Sequence, residues 1–278
     1  MASAGGPGTT LRAVARKARK LMIGWSWRIG HVIGPPIPAE YDVDLAATMR
    51  RVRRKTMTSP ARVAALCDAI EYIVVNGIPG DIVECGVWRG GSMMAAALTL
   101  MRLGETERDL YLFDTFSGMT APSVGDVSSP YDSFSLHRRW QRRARGRTSD
   151  WVAAGADAVR ANMLDTGYPP QRIRLVPGEV EETLPGLAPA TVALLRLDTD
   201  WYESTRHELV HLYPRLAEGG VLIIDDYGHY VGARRAVDEY FEHSGTRPLL
   251  SRIDYTGRLA IKQDGLRTYV RPPAPGAG

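Results

Sequence analysis

The chain has 278 residues, 44% of them hydrophobic and 24% charged, proportions that exclude global disorder, a collagen-like repeat and a disulfide scaffold. At this length one large domain is the default organisation. The formal charge of +4 is unevenly placed: residues 1–56 carry 11 Lys and Arg against 3 Asp and Glu, and the other 222 carry 24 against 28. The basicity therefore belongs to an N-terminal arm and not to a nucleic-acid-binding face of the domain, so no nucleic-acid partner is expected.

Within the arm, residues 20–34 are apolar in character but interrupted by Arg28 and His31, and they fall short of the ~20 residues a membrane-spanning helix needs. Arg12, Arg16, Lys17, Arg19 and Lys20, followed by Trp25 and Trp27, compose a basic amphipathic segment suited to an anionic membrane surface. A Pro-rich hinge at residues 34–38 follows, and the arm is taken to end at residue 56. Only Cys67 and Cys85 are present. Two cysteines without zinc-ligand spacing predict buried thiols in a reduced, cytoplasmic protein.

From Ser59 onward helix-period and strand-like segments alternate, the pattern of βαβ units with a mostly parallel sheet. Ser59-Pro60 opens a helix whose apolar stripe runs through Val63, Leu66, Ile70 and Ile73 and stops before Gly77. Strands are expected at 81–86, 111–114, 173–176, 192–198 and 221–225, with helices at 92–103, 204–216 and 233–242. Gly219-Gly220 reads as a helix stop. A closing hairpin pairs 249–253 with 258–262, and the domain extends from 57 to 267, leaving 268–278 as a frayed tail.

In open α/β sheets, ligands sit beyond the carboxyl ends of the strands. Those ends here are Glu84 with Gly86, Asp114, Gly178 with Glu179, Asp198 with Asp200, and Asp225 with Asp226. Glu84 to Ser92, ECGVWRGGS, joins the first strand to a helix through Gly86, Gly90 and Gly91, which let the backbone turn sharply and approach a ligand. The spacing is G-x-x-x-G-G, not the G-x-G-x-x-G of dinucleotide sites. With Trp88 inside the loop, it suits a ligand without a pyrophosphate. Asp114 is placed to accept the hydroxyls of a ribose.

ECGVWRGGS, LFDTFSGM, LRLDTDWYEST and IIDDYG, in that order, resemble the macrocin O-methyltransferase family of bacterial sugar methyltransferases. The resemblance spans residues 50–262. It implies a Rossmann-like class I fold, S-adenosylmethionine (SAM) as methyl donor, a Mg²⁺ requirement, a homo-oligomer and a glycosylated small-molecule acceptor. By matching motif, Glu84, Gly86, Ser92, Asp114 and Ser117 line the cofactor site; Trp88, Gly90, Gly91 and Gly178 join them from the loop and strand ends.

Asp198 ends one strand and Asp225 and Asp226 end the next, so adjacent parallel strands bring three carboxylates to one rim. An all-oxygen donor set suits a hard cation such as Mg²⁺, with Mn²⁺ and Ca²⁺ compatible with the same residues. Asp200 is a nearby second acid. Methyl transfer to an alcohol needs a base, for which Asp198 is favoured, as the resemblance also implies, with His229 the competitor. The connection from 115 to 160 is long enough to be a lid or substrate-binding insertion. Its six arginines between Arg138 and Arg147 are expected to meet an anionic or lipid-linked substrate. Two rival readings share these residues: a metal-dependent O-methyltransferase of catechols or other small aromatics, and a non-catalytic SAM-binding or membrane-surface protein.

Overall fold

A computed structural model describes residues 37–123, 125–126, 136–246 and 248–263. The basic and aromatic stretch of the arm and the frayed tail lie outside the described residues. Among the described residues no helix is long and apolar enough to cross a membrane.

The centre is a seven-stranded sheet. Its strands are β1 (Asp81–Cys85), β2 (Leu110–Asp114), β6 (Ile173–Pro177), β7 (Val192–Leu197), β8 (Leu216–Ile224), β9 (Ser251–Arg252) and β10 (Arg258–Ile261). They are ordered β6-β2-β1-β7-β8-β10-β9. The five strands from β6 to β8 are parallel, and β10 runs antiparallel to β8. Alternation divides the core between the two faces. Ile82, Leu194 and Ile223 pack with helices α2 (Pro60–Val75) and α3 (Gly91–Arg102). Val83, Leu195, Leu222 and Ile224 pack against α7 (Tyr202–Leu212) and α8 (Val231–His243).

Helix α2 begins as its sequence predicts, with the Ser59 hydroxyl accepting from the Arg62 N–H at 3.2 Å and Pro60 in the first turn. Two expectations shift. Helix α7 ends at Leu212, and after a short 3₁₀ turn β8 starts at Leu216 and runs through Gly219-Gly220. Those glycines sit within β8 where its register against β7 slips, so they serve a strand irregularity instead of a helix stop.

The boundary at residue 56 also falls too late. Helix α1 (Val43–Val52) is capped by Asp42, which accepts from the Leu45 N–H at 2.8 Å, and it buries Met49 and Val52 in the core beside α3. The arm therefore becomes domain well before its charge pattern changes. Past α1, the Lys55 carbonyl accepts the N–H of Gly91 at 3.0 Å.

The insertion is likewise shorter than drawn. Its described parts are β3 (Met119–Thr120), α4 (Leu136–Gln141), β4 (Ala144–Arg145) and β5 (Thr148–Ser149), with the strands in a small sheet ordered β3-β5-β4. Helix α5 (Ala156–Leu164) already belongs to the main body, since Val159 and Met163 are buried in the α3 core. Trp140 and Trp201 fasten the insertion by donating their ring N–H groups to the carbonyls of Met119 (2.9 Å) and Thr120 (3.1 Å).

Candidate active site

A cavity of about 1220 Å³ opens at the carboxyl ends of the parallel strands. The register explains its floor. Glu84 on β1 lies directly opposite Arg196 on β7, and Leu197 opposite Ile224, so the next residues, Asp198 and Asp225, come side by side. Period-two alternation then turns Glu84, Arg196, Asp198 and Asp225 to one face of the sheet.

Arg196 is the hub of this face. It is only 3% exposed, and it pairs with Glu84, with Asp198 at 2.7 Å and with Asp225. Burial opposes its charge, but Asp198, Asp225 and Glu84 hold it firmly protonated. A charged residue inside the otherwise apolar strand VALLRL was the signal in the sequence that marks it. Arg62, from the first turn of α2, takes the other oxygen of Asp225 and reaches Asp254 at 3.1 Å. Asp225, expected as a metal ligand, is thus occupied on both oxygens by guanidinium groups.

The open carboxylates are Asp198, Asp200 and Asp226, each of which offers an oxygen within 4.8 Å of the others. Burial, reinforced by the neighbouring carboxylates, pushes Asp198 and Asp200 well above the usual carboxylate range. Such a group of acids calls for a positive charge. An all-oxygen set of this spacing fits a hard divalent cation, and Asp225, paired with Arg62 and Arg196, stands outside it. Asp200 has φ +72°, a strained conformation for a non-glycine residue. His229 lines the same cavity, with its Nδ1 hydrogen-bonded to the Tyr255 hydroxyl.

At the other end of the cavity lie Glu84, Gly86, Trp88, Ser92, Asp114 and Gly178. Gly86 is required: its φ is +82°, and a Cβ there would come within 2.2 Å of the Asp198 carbonyl oxygen. Asp114 does more than face a ligand. One oxygen accepts the N–H groups of Val87 (2.8 Å) and Trp88 (3.1 Å), and the other that of Phe116 (2.7 Å), so it fixes the shape of the glycine turn. Burial lifts the Glu84 carboxyl to about 7 against the pull of Arg196, and its Oε2 is buried without a partner among the described residues. A buried acceptor left open at the cavity wall fits a cationic ligand, and SAM carries both an ammonium and a sulfonium.

Gly90, Gly91 and Ser117 do not line this cavity. Gly90 caps α3 with φ +81° beside Val159, Gly91 packs against the backbone of Lys55, and Ser117 is exposed. They shape the turns around the site. Sequence reasoning missed Thr56, Met57 and Thr58, which follow α1 and form part of the wall.

Strand order, glycine turn and acidic rim together define the class I fold of SAM-dependent methyltransferases. Residues 46–260 match the macrocin O-methyltransferase family, and the chain belongs to that family. It is an O-methyltransferase. It is 38% identical, over 73% of this chain and 73% of the relative, to the 8-demethyl-8-(2,3-dimethoxy-α-L-rhamnosyl)-tetracenomycin-C 4'-O-methyltransferase of Streptomyces olivaceus. It is 32% identical, over 73% of this chain and 76% of the relative, to the mycinamicin III 3''-O-methyltransferase of Micromonospora griseorubida. Among solved structures, the O-methyltransferase NovP superposes with a TM-score of 0.67 at 29% identity, covering 88% of this chain and 99% of that one.

Proposed function

We propose that the chain methylates a hydroxyl of a sugar carried by a glycosylated natural product, with a divalent cation held at the acidic cluster. One observation carries this reading: a single cavity receives both the Gly86 turn with the partnerless Glu84 oxygen and the three clustered oxygens of Asp198, Asp200 and Asp226. The relatives named for a rhamnosyl tetracenomycin and for mycinamicin III support a sugar acceptor.

SAM, when bound, supplies an electrophilic methyl on a good leaving group, and Mg²⁺ supplies a Lewis acid that makes a bound hydroxyl more acidic. Glu84 meets the positive charge of the donor, while Trp88 and the turn tied to Asp114 orient it. Asp198 and Asp226 hold the cation. Asp198, the base that the sequence favours, gives one oxygen to Arg196 at 2.7 Å and its other to the cation. Asp200 lines the cavity at the cluster and has no ion-pair partner among the described residues, so it takes the proton of the attacking hydroxyl. His229, engaged with Tyr255, supports the turn. Trp201 and Tyr230 give this cavity an aromatic wall.

The test is Asp200→Asn. It is expected to lower kcat by about 10²–10⁴-fold, the contribution of a general base, while SAM affinity measured by calorimetry stays within threefold. Near-normal turnover overturns the base, and turnover that survives exhaustive chelation overturns the metal. Methylation of catechols in preference to a panel of deoxysugar glycosides overturns the sugar acceptor.

A further inference from the structure

The arginine tract of the insertion separates into two sets. Arg145 and Arg147 stay outside the large cavity and pair with acids: Arg145 with Asp150 at 3.1 Å, Arg147 with Glu179 at 2.9 Å and Glu182 at 3.2 Å. Arg138, Arg139, Arg142 and Arg143 line the cavity that holds the acidic cluster. They share one helical face through their i, i+1, i+4, i+5 spacing, and α4 continues past its last residue as the Arg142 N–H donates to the Arg138 carbonyl at 3.2 Å. Like charges at i, i+4 oppose helix formation, and both such pairs, 138 with 142 and 139 with 143, occur here. Among the described residues no ion pair is seen for Arg139, Arg142 or Arg143.

An aromatic row joins these arginines to the carboxylates. The Arg139 guanidinium lies over Trp151 at 4.4 Å from the ring centroid. Trp151 and Trp201 are 6.5 Å apart, Trp201 and Tyr230 5.5 Å, and Trp201 follows Asp200 directly. All of these side chains line one cavity. The cavity thus joins the acidic cluster, an aromatic row and the arginines, with Glu179 and Glu181 also on its wall.

We infer that the acceptor carries an anionic group, a phosphate or a carboxylate, which the arginines of α4 and its continuation bind while the sugar lies along the aromatic row toward Asp200. This rests on the methyltransferase reading and names the class of its acceptor. The guanidinium fork matches both anions in planar, paired hydrogen bonds. The arginines also set direction, because they hold the anionic end of the acceptor at their own side of the cavity. The acceptor therefore enters with its neutral hydroxyls toward the carboxylates.

The full-length protein, loaded with the demethylated cofactor S-adenosylhomocysteine so that no turnover occurs, is titrated calorimetrically with three probes. These are methyl β-D-glucopyranoside, methyl β-D-glucuronide and a thymidine-diphosphate glucose, and each is run on wild type, Arg142→Ala/Arg143→Ala and Arg142→Lys/Arg143→Lys. At least one anionic probe is expected to bind tenfold or more tighter than the neutral glucoside, and the arm that does so tells carboxylate from pyrophosphate. The alanine variant loses that preference, the lysine variant keeps part of it, and cofactor affinity is unchanged in both. Equal affinity for neutral and anionic probes, a preference that survives the alanine variant, or cofactor affinity falling by the same factor overturns the inference. Methyl transfer to neutral and anionic glycosides at equal rates leaves the methyltransferase standing and removes only the anion site; a wild type that binds no cofactor removes the methyltransferase reading itself.

Discussion

Glu208 shows how a carboxyl can sit in this fold without taking part in catalysis. It lies on α7, is 0% exposed, and both of its oxygens are buried without a hydrogen-bond partner among the described residues. It rests beside Thr199 and Cys85. Burial raises its carboxyl well above the ordinary glutamate range, so the folded chain holds its proton to higher pH than the unfolded chain, which releases it above about pH 4.3. The sign follows from linkage: where the folded state binds more protons, stability falls as pH rises. Glu208→Gln removes that proton while preserving shape. Its melting temperature is expected to match wild type near pH 4 and to exceed it by a margin that grows toward pH 8. A margin that stays flat across this range means that Glu208 is ionised in the fold. Asp200, by contrast, lines the cavity, and its asparagine variant is read by turnover.

Helix α1 is the element that the charge pattern hid. Its sequence VDLAATMRRV carries two arginines in the last turn, and these extend the basic count of the arm up to the domain. The burial of Ala46, Met49 and Val52 at i, i+3 and i+6 is a short stripe of one or two turns, too little for periodicity to separate from a solvated tail. Its packing against α3 is what makes it part of the domain. The loop after it places Lys55 on Gly91 and Thr56 to Thr58 in the cavity wall. Met49→Ala removes a fully packed side chain and is expected to cost about 2–5 kcal/mol. Because that helix holds the wall of the cofactor end, cofactor affinity should fall in the same variant. A melting curve and a cofactor titration check the two effects together, and a variant as stable as wild type means that α1 is only laid against the domain. The short elements of the insertion were illegible for the same reason: strands of two residues carry no period, and the aromatic contacts that fasten them join Trp140 to Met119 and Trp201 to Thr120, a link no local window contains.

Across the whole molecule, the sheet was legible wherever an apolar run ended in an acid. β1, β2, β7 and β8 follow their predicted segments to within a few residues, and the same runs put Glu84, Asp114, Asp198 and Asp225 at the strand ends where a ligand site forms. What stayed out of reach was the partner of each acid. Arg196 and Glu84 are 112 positions apart, and Arg62 and Asp225 are 163 apart, so only register decides that one guanidinium joins Glu84 to Asp198 and that Asp225 is consumed by arginines while Asp200 is left open. The buried charge of Arg196 therefore balances three carboxylates, one at the end of its own strand and one from each neighbouring strand. Removing one partner of such a buried pair typically costs about 3–5 kcal/mol, because the other charges are left without compensation. Arg196→Met is expected to be destabilised by that amount. An added cation that binds the freed acids should return part of the loss, since any ligand of the folded state stabilises it by mass action. Millimolar MgCl₂ should thus raise the melting temperature of Arg196→Met more than that of wild type, and CaCl₂ should do so too if charge alone is being replaced. An Arg196→Met protein as stable as wild type, or one whose melting temperature responds to Mg²⁺ no more than the parent, means that the arginine and the cation site are energetically separate.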